Sequence, residues 1–183
     1  LPGLDPVGIP IPKGFARRLL AASGKPLAAP SATTSGRISP TTARHVADDF
    51  GSRLELVLDG GPAVVGLEST IIKVEGETIR LLRPGGLDAA EIERVTGLTV
   101  QRNETAGATI EAPGMLASHY APDAPVRLDA SDVRPGEVLI RFGGTPLPGE
   151  AEAALVLDLS PSGDLAEAAA NLFSHLRALD ASG

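Results

Sequence analysis

Apolar positions along this chain switch between a period of two and a period near 3.6, the spacings that turn one face of a strand or one stripe of a helix toward a core. Val7 to Pro12 alternates around Ile9 and Ile11 and predicts a strand, with Pro10 removing a ladder N–H and pushing it toward an edge or an end. Residues 13–23 predict a short helix through Phe15, Ala16, Leu19, Leu20 and Ala22, ended by Gly24. Leu27 to Ala29 predicts a short buried strand. It leads into the hydroxyl-rich stretch Pro30-Ser31-Ala32-Thr33-Thr34-Ser35-Gly36-Arg37-Ile38-Ser39-Pro40-Thr41-Thr42. From Pro40 to Phe50, Ala43, Val46, Ala47 and Phe50 fall at i, i+3, i+4 and i+7 and predict a helix. Ser39 suits its N-cap, Pro40 its first position and Gly51 its stop.

Leu54 to Leu58 alternates as a strand and runs into the turn Asp59-Gly60-Gly61-Pro62. Ser69 to Val74 and Thr78 to Arg83 flank Glu75-Gly76-Glu77 and predict a β-hairpin. Arg83-Pro84-Gly85-Gly86 breaks the second strand. Asp88-Ala89-Ala90-Glu91 is a capping box opening a helix with Ile92 and Val95 inward and Gly97 after it. From about Gln101 to Ala124 the periodicity gives way to glycine, proline and small polar residues, yet this run holds the single methionine, Met115, and the single tyrosine, Tyr120. That content predicts an ordered flap rather than a tether. Beyond it, Val126 to Leu128, Glu137 to Phe142 and Leu155 to Leu159 predict strands. Asp164-Leu165-Ala166-Glu167 opens a last helix with Leu165, Ala168, Ala169, Leu172, Leu176 and Leu179 on one face. Interspersed strands and helices predict an α/β protein: a first domain over 1–100, a linker or flap over 101–124 and a small βα domain over 125–183.

Composition narrows the chemistry. Hydrophobic residues make up 43% but aromatics only 3%, so the core must be built from Leu, Val, Ile and Ala. With no cysteine, disulfides, thiolate nucleophiles and cysteine–zinc sites are excluded, which fits a reducing compartment. No apolar run reaches membrane-spanning length and the first residues do not resemble a signal peptide, so the expectation is a soluble cytoplasmic protein with no membrane partner. Residues 1–53 carry seven Lys/Arg and three acids, which makes this end +4 and, from a total of −7, the remainder −11. The acidic body argues against wide electrostatic tracking of nucleic acid, whereas the basic end containing the hydroxyl loop can attract a small anion such as a nucleotide.

Familiar catalytic signatures are absent. In Gly66-Leu67-Glu68-Ser69-Thr70 the serine sits one place too late for a nucleophile elbow, and there is no P-loop or dinucleotide glycine fingerprint. His45, His119 and His175 lack metal-ligand spacing; His45 and His175 fall off the apolar faces of their helices and predict ordinary surface residues. What remains is hydroxyls and cations at turns: Ser31, Ser35, Arg37, Ser39, Ser69, Thr70 and Arg83. The loop chemistry alone leaves two readings open, a Ser/Thr turn that caps a helix or a loop that holds an anion at a helix N-terminus. Arg83 is equally open between a phosphate contact and a surface carboxylate pair.

The motifs taken in order carry a resemblance. Residues 26–32 (Pro-Leu-Ala-Ala-Pro-Ser-Ala), 35–41 (Ser-Gly-Arg-Ile-Ser-Pro-Thr), 58–62, 66–72 and 82–86 are similar to the successive motifs of the YrdC-like threonylcarbamoyl-AMP synthases. Pro113-Gly114-Met115, His119-Tyr120-Ala121-Pro122 and the segment containing Ser160-Pro161-Ser162-Gly163-Asp164 resemble the linker and C-terminal domain of that family's long form. The resemblance implies the later part of a YrdC-like twisted-sheet domain, a linker and a partial Rossmann-like domain. The family makes threonylcarbamoyl-AMP from L-threonine, bicarbonate and ATP with release of pyrophosphate. A downstream tRNA-modifying transferase uses the product at adenosine 37 of tRNA, and no stable direct tRNA binding is expected here. By resemblance, Ser31, Ser39, Arg83 and Tyr120 contact ATP, Ala29 and Ser69 line the threonine pocket, and Mg²⁺ is held largely by the phosphates; no catalytic residue is assigned. The chain departs from the family pattern at Pro10, where an arginine is usual, and at Thr33, where an asparagine is usual. The family's earlier Lys/Arg-rich motif and the end of its second domain have no counterpart, so the fragment alone is expected to be inactive. A non-catalytic nucleotide- or RNA-binding module on the same fold is the alternative.

Overall fold

The computed structural model describes residues 14–102 and 120–182. The strand expected around Ile9 and Ile11, Pro10, His119 and most of the expected flap lie outside the described residues. The chain forms α1 (Gly14–Ser23), α2 (Ala43–Phe50), β1 (Ile71–Glu75), β2 (Thr78–Arg83), α3 (Ala89–Thr96), β3 (Val100–Arg102), β4 (Val138–Arg141), β5 (Leu155–Asp158) and α4 (Leu165–Ala181).

The first sheet has the order β1-β2-β3. Its hairpin pairs Glu75 with Thr78 across Gly76, whose φ of 63° supplies the left-handed turn position. β3 pairs parallel to β2, which requires a crossover, and α3 provides it. Asp88 caps α3 by accepting from Ala90 N at 3.3 Å, and Gly97 closes it in the left-handed conformation. Between helix and sheet, Ile79, Ala89, Ile92 and Val100 are buried together, with Leu81 and Leu98 packed beside them. The hairpin register shifts at the end of β2, where Ile72 pairs with Leu81 but Ile71 with Arg83, so the alternation that puts Ile79 and Leu81 on one face is interrupted before Arg83. Arg83, at this strand end, is 8% exposed.

The second sheet pairs β4 and β5 in parallel. Arg141 clasps the two ends of this unit, bonding Asp158 at 2.9 Å and Glu150 at 2.6 Å. Asp164 caps α4 through Glu167 N at 2.7 Å, as the box predicts. Its buried residues are Ala168 and Phe173. α4 also packs against the first unit: Gly66 lies so close to it that a Cβ there would come within 2.5 Å of the Ala170 backbone.

Several sequence expectations are corrected. Leu27–Ala29, Leu54–Leu58 and Val126–Leu128 are not strands, and Leu56 and Leu128 are 73% and 79% exposed. Alternation describes a face, but a strand also needs a neighbour to complete its ladder, and no described strand pairs with these segments. α2 begins three residues later than expected: Thr42 is its N-cap, accepting from His45 N at 3.2 Å, while Ser39 and Pro40 lie ahead of the helix. Val95 and Leu165 point outward at 68% and 78% exposure. Gln101 and Arg102, assigned to the linker, belong to β3.

The Gly66 contact yields a stability prediction. Gly66→Ala forces a Cβ into α4 at a φ of 70°, so chemical denaturation should show a loss of about 2 kcal/mol or more; an unchanged midpoint would contradict the docking of α4.

Candidate functional site

Arg83 is the centre of a hydrogen-bonded chain assembled from four separate segments. Its Nε donates to Ser69 O at 3.0 Å, one Nη to Ser69 Oγ at 3.0 Å and the other to the Tyr120 hydroxyl at 2.7 Å. Glu68 adds an ion pair at 3.5 Å. The other Glu68 oxygen accepts from Ser39 Oγ. Thr33 Oγ1 donates to Ser39 Oγ at 3.4 Å and accepts from Ser31 Oγ at 2.9 Å. Ser31, Thr33, Ser39, Glu68, Arg83, Ser69 and Tyr120 thus form one continuous polar path.

Local structure explains how they meet. Gly36 and Gly66 take left-handed turns before Ser39 and Glu68. At Gly85 a Cβ would fall 2.3 Å from Glu68 O, so only glycine lets the strand end pass the Glu68–Thr70 backbone this closely. Gly86 N donates to Glu68 O at 3.0 Å, and Thr70 Oγ1 donates to Leu87 O at 2.7 Å. These bonds fix the Glu68–Ser69 backbone beside the end of β2. A cavity of about 400 Å³ opens against the Ser31–Ser39 loop, lined among others by Thr33, Ser39, Val46, Gly60, Glu68 and Phe173.

Tyr120 closes one end of the path. Its ring stacks on Phe173 of α4 with centroids 6.1 Å apart and lies under the Arg83 guanidinium at 6.0 Å. Burial pushes the phenol pKa above the ordinary tyrosine value and the Glu68 charge adds to this, while Arg83 pulls the other way.

The residues predicted from sequence divide clearly. Ser39, Arg83, Ser69, Ser31 and Tyr120 are brought together. Ala29 is exposed, and neither it nor Ser69, Arg83 or Tyr120 lines the cavity. Arg37 is exposed and pairs with Asp123 at 3.4 Å. Ser39 is 6% exposed and donates to a carboxylate instead of capping α2, because Thr42 already holds the cap. Arg83 is engaged by the Glu68 carboxylate, the Ser69 hydroxyl and backbone carbonyl and the Tyr120 phenol. His45 and His175 are not plain surface residues: His45 Nδ1 accepts from Thr41 N at 3.2 Å, and His175 Nε2 lies 3.0 Å from Asp158 O. Burial, then the nearby Arg177 charge, lowers the His45 pKa. Sequence patterns do not single out Glu68, Thr33 or Phe173 as site residues. Glu68 lies within the Gly66–Thr70 motif, but its reach to Ser39, 29 residues away, has no local signal.

Two family profiles cover the chain. Residues 1–85 match the Sua5/YciO/YrdC family, described as telomere recombination, and residues 87–183 match the threonylcarbamoyl-AMP synthase C-terminal domain. The chain belongs to the threonylcarbamoyl-AMP synthase family. It is 38% identical to the threonylcarbamoyl-AMP synthase of Pyrococcus abyssi over 99% of this chain and 57% of that protein. It is 41% identical to the Bacillus subtilis enzyme of the same name over 69% of this chain and 37% of that one. The crystal structure of P. abyssi Sua5 complexed with L-threonine matches with a TM-score of 0.63 and 35% identity, covering 92% of this chain and 53% of that one. The chain therefore spans little more than half the length of the Pyrococcus synthase it matches.

Tyr120 is the single tyrosine of a tryptophan-free chain, so near-ultraviolet phenolate absorbance reads it directly. Its titration is expected above the ordinary tyrosine range, to fall in Glu68→Gln and to rise further in Arg83→Ala. An unshifted titration in both variants would show that these charges do not face the phenol.

Proposed function

We propose that this segment supplies one wall of the nucleotide site in an enzyme that makes threonylcarbamoyl-AMP from L-threonine, bicarbonate and ATP. The reading rests on one observation: hydroxyls, a carboxylate, a guanidinium and a phenol from four separated motifs of this family converge on the Ser39–Glu68–Arg83 link.

The chemistry asks for positioning more than for a protein nucleophile. The threonine amine captures carbon dioxide as a carbamate; a carbamate oxygen attacks the α-phosphorus of ATP, and the bond to pyrophosphate breaks. Negative charge builds on the phosphoryl oxygens and on the leaving group, and a fixed cation stabilises it without reorganising. Arg83 is suited to this because its planar fork is held in place by Ser69 and Tyr120. Ser31 and Ser39 supply hydroxyl donors to ATP. Ser39 and Arg83 both spend contacts on Glu68, so an arriving phosphate competes with that carboxylate for both donors. Ser69 and Ala29 border the threonine, and Tyr120 covers the nucleotide.

Among the described residues no group of three His, Cys, Asp or Glu side chains could hold a metal ion, and the nearest carboxylate, Glu68, is engaged by Ser39 and Arg83. Mg²⁺ would enter with the ATP phosphates and be held largely by them. The product passes to a tRNA-modifying transferase in the cytoplasm; the −11 charge beyond residue 53 makes stable direct tRNA binding unfavourable.

In the full-length protein, Arg83→Ala should weaken ATP binding by about tenfold or more, as loss of a charge-assisted contact implies. Calorimetric titration measures this, and unchanged affinity would remove Arg83 from the site. Pyrophosphate release that requires both threonine and bicarbonate separates the synthase from a module that only binds nucleotide; release independent of both would overturn the proposed reaction.

A further inference from the structure

We infer that Arg177, on the last turns of α4, is a positioning residue for the Ser39 hydroxyl, so that docking of this helix sets the shape of the nucleotide wall. The inference rests on the proposed nucleotide role of Ser39.

The observation is a single stripe along α4. Ala170 meets Gly66, Phe173 lines the cavity and stacks on Tyr120, and Arg177 reaches Ile38 O at 2.7 Å. Asp180 continues it, accepting from Asp123 N and Ala124 N at 3.1 Å each. These positions follow the three- and four-residue spacing that puts side chains on one helical face. The helix therefore touches both borders of the polar path, the hydroxyl loop and the segment carrying Tyr120.

Arg177 is the polar member of this stripe with the strongest hold on the loop. Its side chain is 16% exposed; one nitrogen donates to Ile38 O, and another donates to Asp49 of α2 and lies 3.5 Å from His45 O. Ile38 is 2% exposed and immediately precedes Ser39, so its peptide plane sets where Ser39 begins. The guanidinium thus ties the loop to α2, while Ser39 bonds Glu68. A neutral or shorter side chain leaves Ile38 O without this donor and frees the backbone that orients the hydroxyl. Arg177 touches no reacting group and acts through Ser39.

Asp49 dictates the design of the test. Its Oδ2 is buried with no hydrogen-bond partner, so removing Arg177 alone strands a buried carboxylate and threatens the fold. The comparison is therefore made in the full-length protein between Asp49→Asn and Asp49→Asn/Arg177→Met, with and without Ser39→Ala. Asp49→Asn alone should keep ATP affinity within about twofold of the unsubstituted protein. Adding Arg177→Met should weaken ATP binding about tenfold where Ser39 is present and have no further effect where it is alanine. Amide exchange at Ile38, Ser39 and Thr41 should quicken in the same variant while α4 amides stay protected. Unchanged ATP affinity, or an equal loss with and without Ser39, would overturn the inference. If the unsubstituted protein binds no ATP, the nucleotide reading itself fails. Exchange at these three amides then decides whether Arg177 holds the loop, and unchanged exchange would overturn that too.

Discussion

A guanidinium turned inward at the end of a strand has to be met by acceptors, because an unpaired buried charge costs several kcal/mol. Arg83, at the end of β2 and 8% exposed, is met by the backbone and hydroxyl of Ser69, the Tyr120 phenol and the Glu68 carboxylate. Much of the surrounding structure follows from that requirement. Gly85 lets the Glu68–Thr70 backbone come close enough to offer its carbonyl, and the Thr70–Leu87 bonds keep it there. Glu68 in turn gathers Ser39, and Ser39 gathers Thr33 and Ser31. A network in which every member depends on the next is rigid, and a rigid array of donors is what a phosphate-transfer site requires.

The second unit takes part in this arrangement. Its helix α4 lays Phe173 against Tyr120 and Arg177 against the loop that carries Ser39. Small residues make the approach feasible, since Gly66 leaves no side chain between the backbones. The polar path is therefore a shared product of the hydroxyl loop, the hairpin and the segments flanking it, the segment carrying Tyr120 and the C-terminal helix.

Local signals were legible in the sequence wherever a short-range rule decides the structure. The Asp88 and Asp164 boxes cap the helices they predict, the hairpin turns at Gly76, and Gly51 and Gly97 end their helices. The rules failed where the outcome depends on a distant partner. Leu54–Leu58 alternates like a strand but has no described neighbour, and Ser39 looks like a cap but is drawn away by Glu68. The same limit applied to the site. Ser39, Ser69 and Arg83 could be named from motifs, yet neither periodicity nor spacing shows that Glu68 links Ser39 to Arg83, or that Arg177, 139 residues along the chain, holds Ile38. Thr33 illustrates a gentler case: it stands where the family usually has asparagine, and its hydroxyl still bridges Ser31 and Ser39.

In the proposed site, the Glu68 contacts to Ser39 and Arg83 mark the place a phosphate takes. A crystal structure of the full-length protein with bound ATP is the decisive measurement. Phosphate oxygens should lie within hydrogen-bond reach of both Ser39 and Arg83, with Glu68 displaced from at least one of them. Nucleotide bound elsewhere, with the Ser39–Glu68–Arg83 link intact, would rule this out.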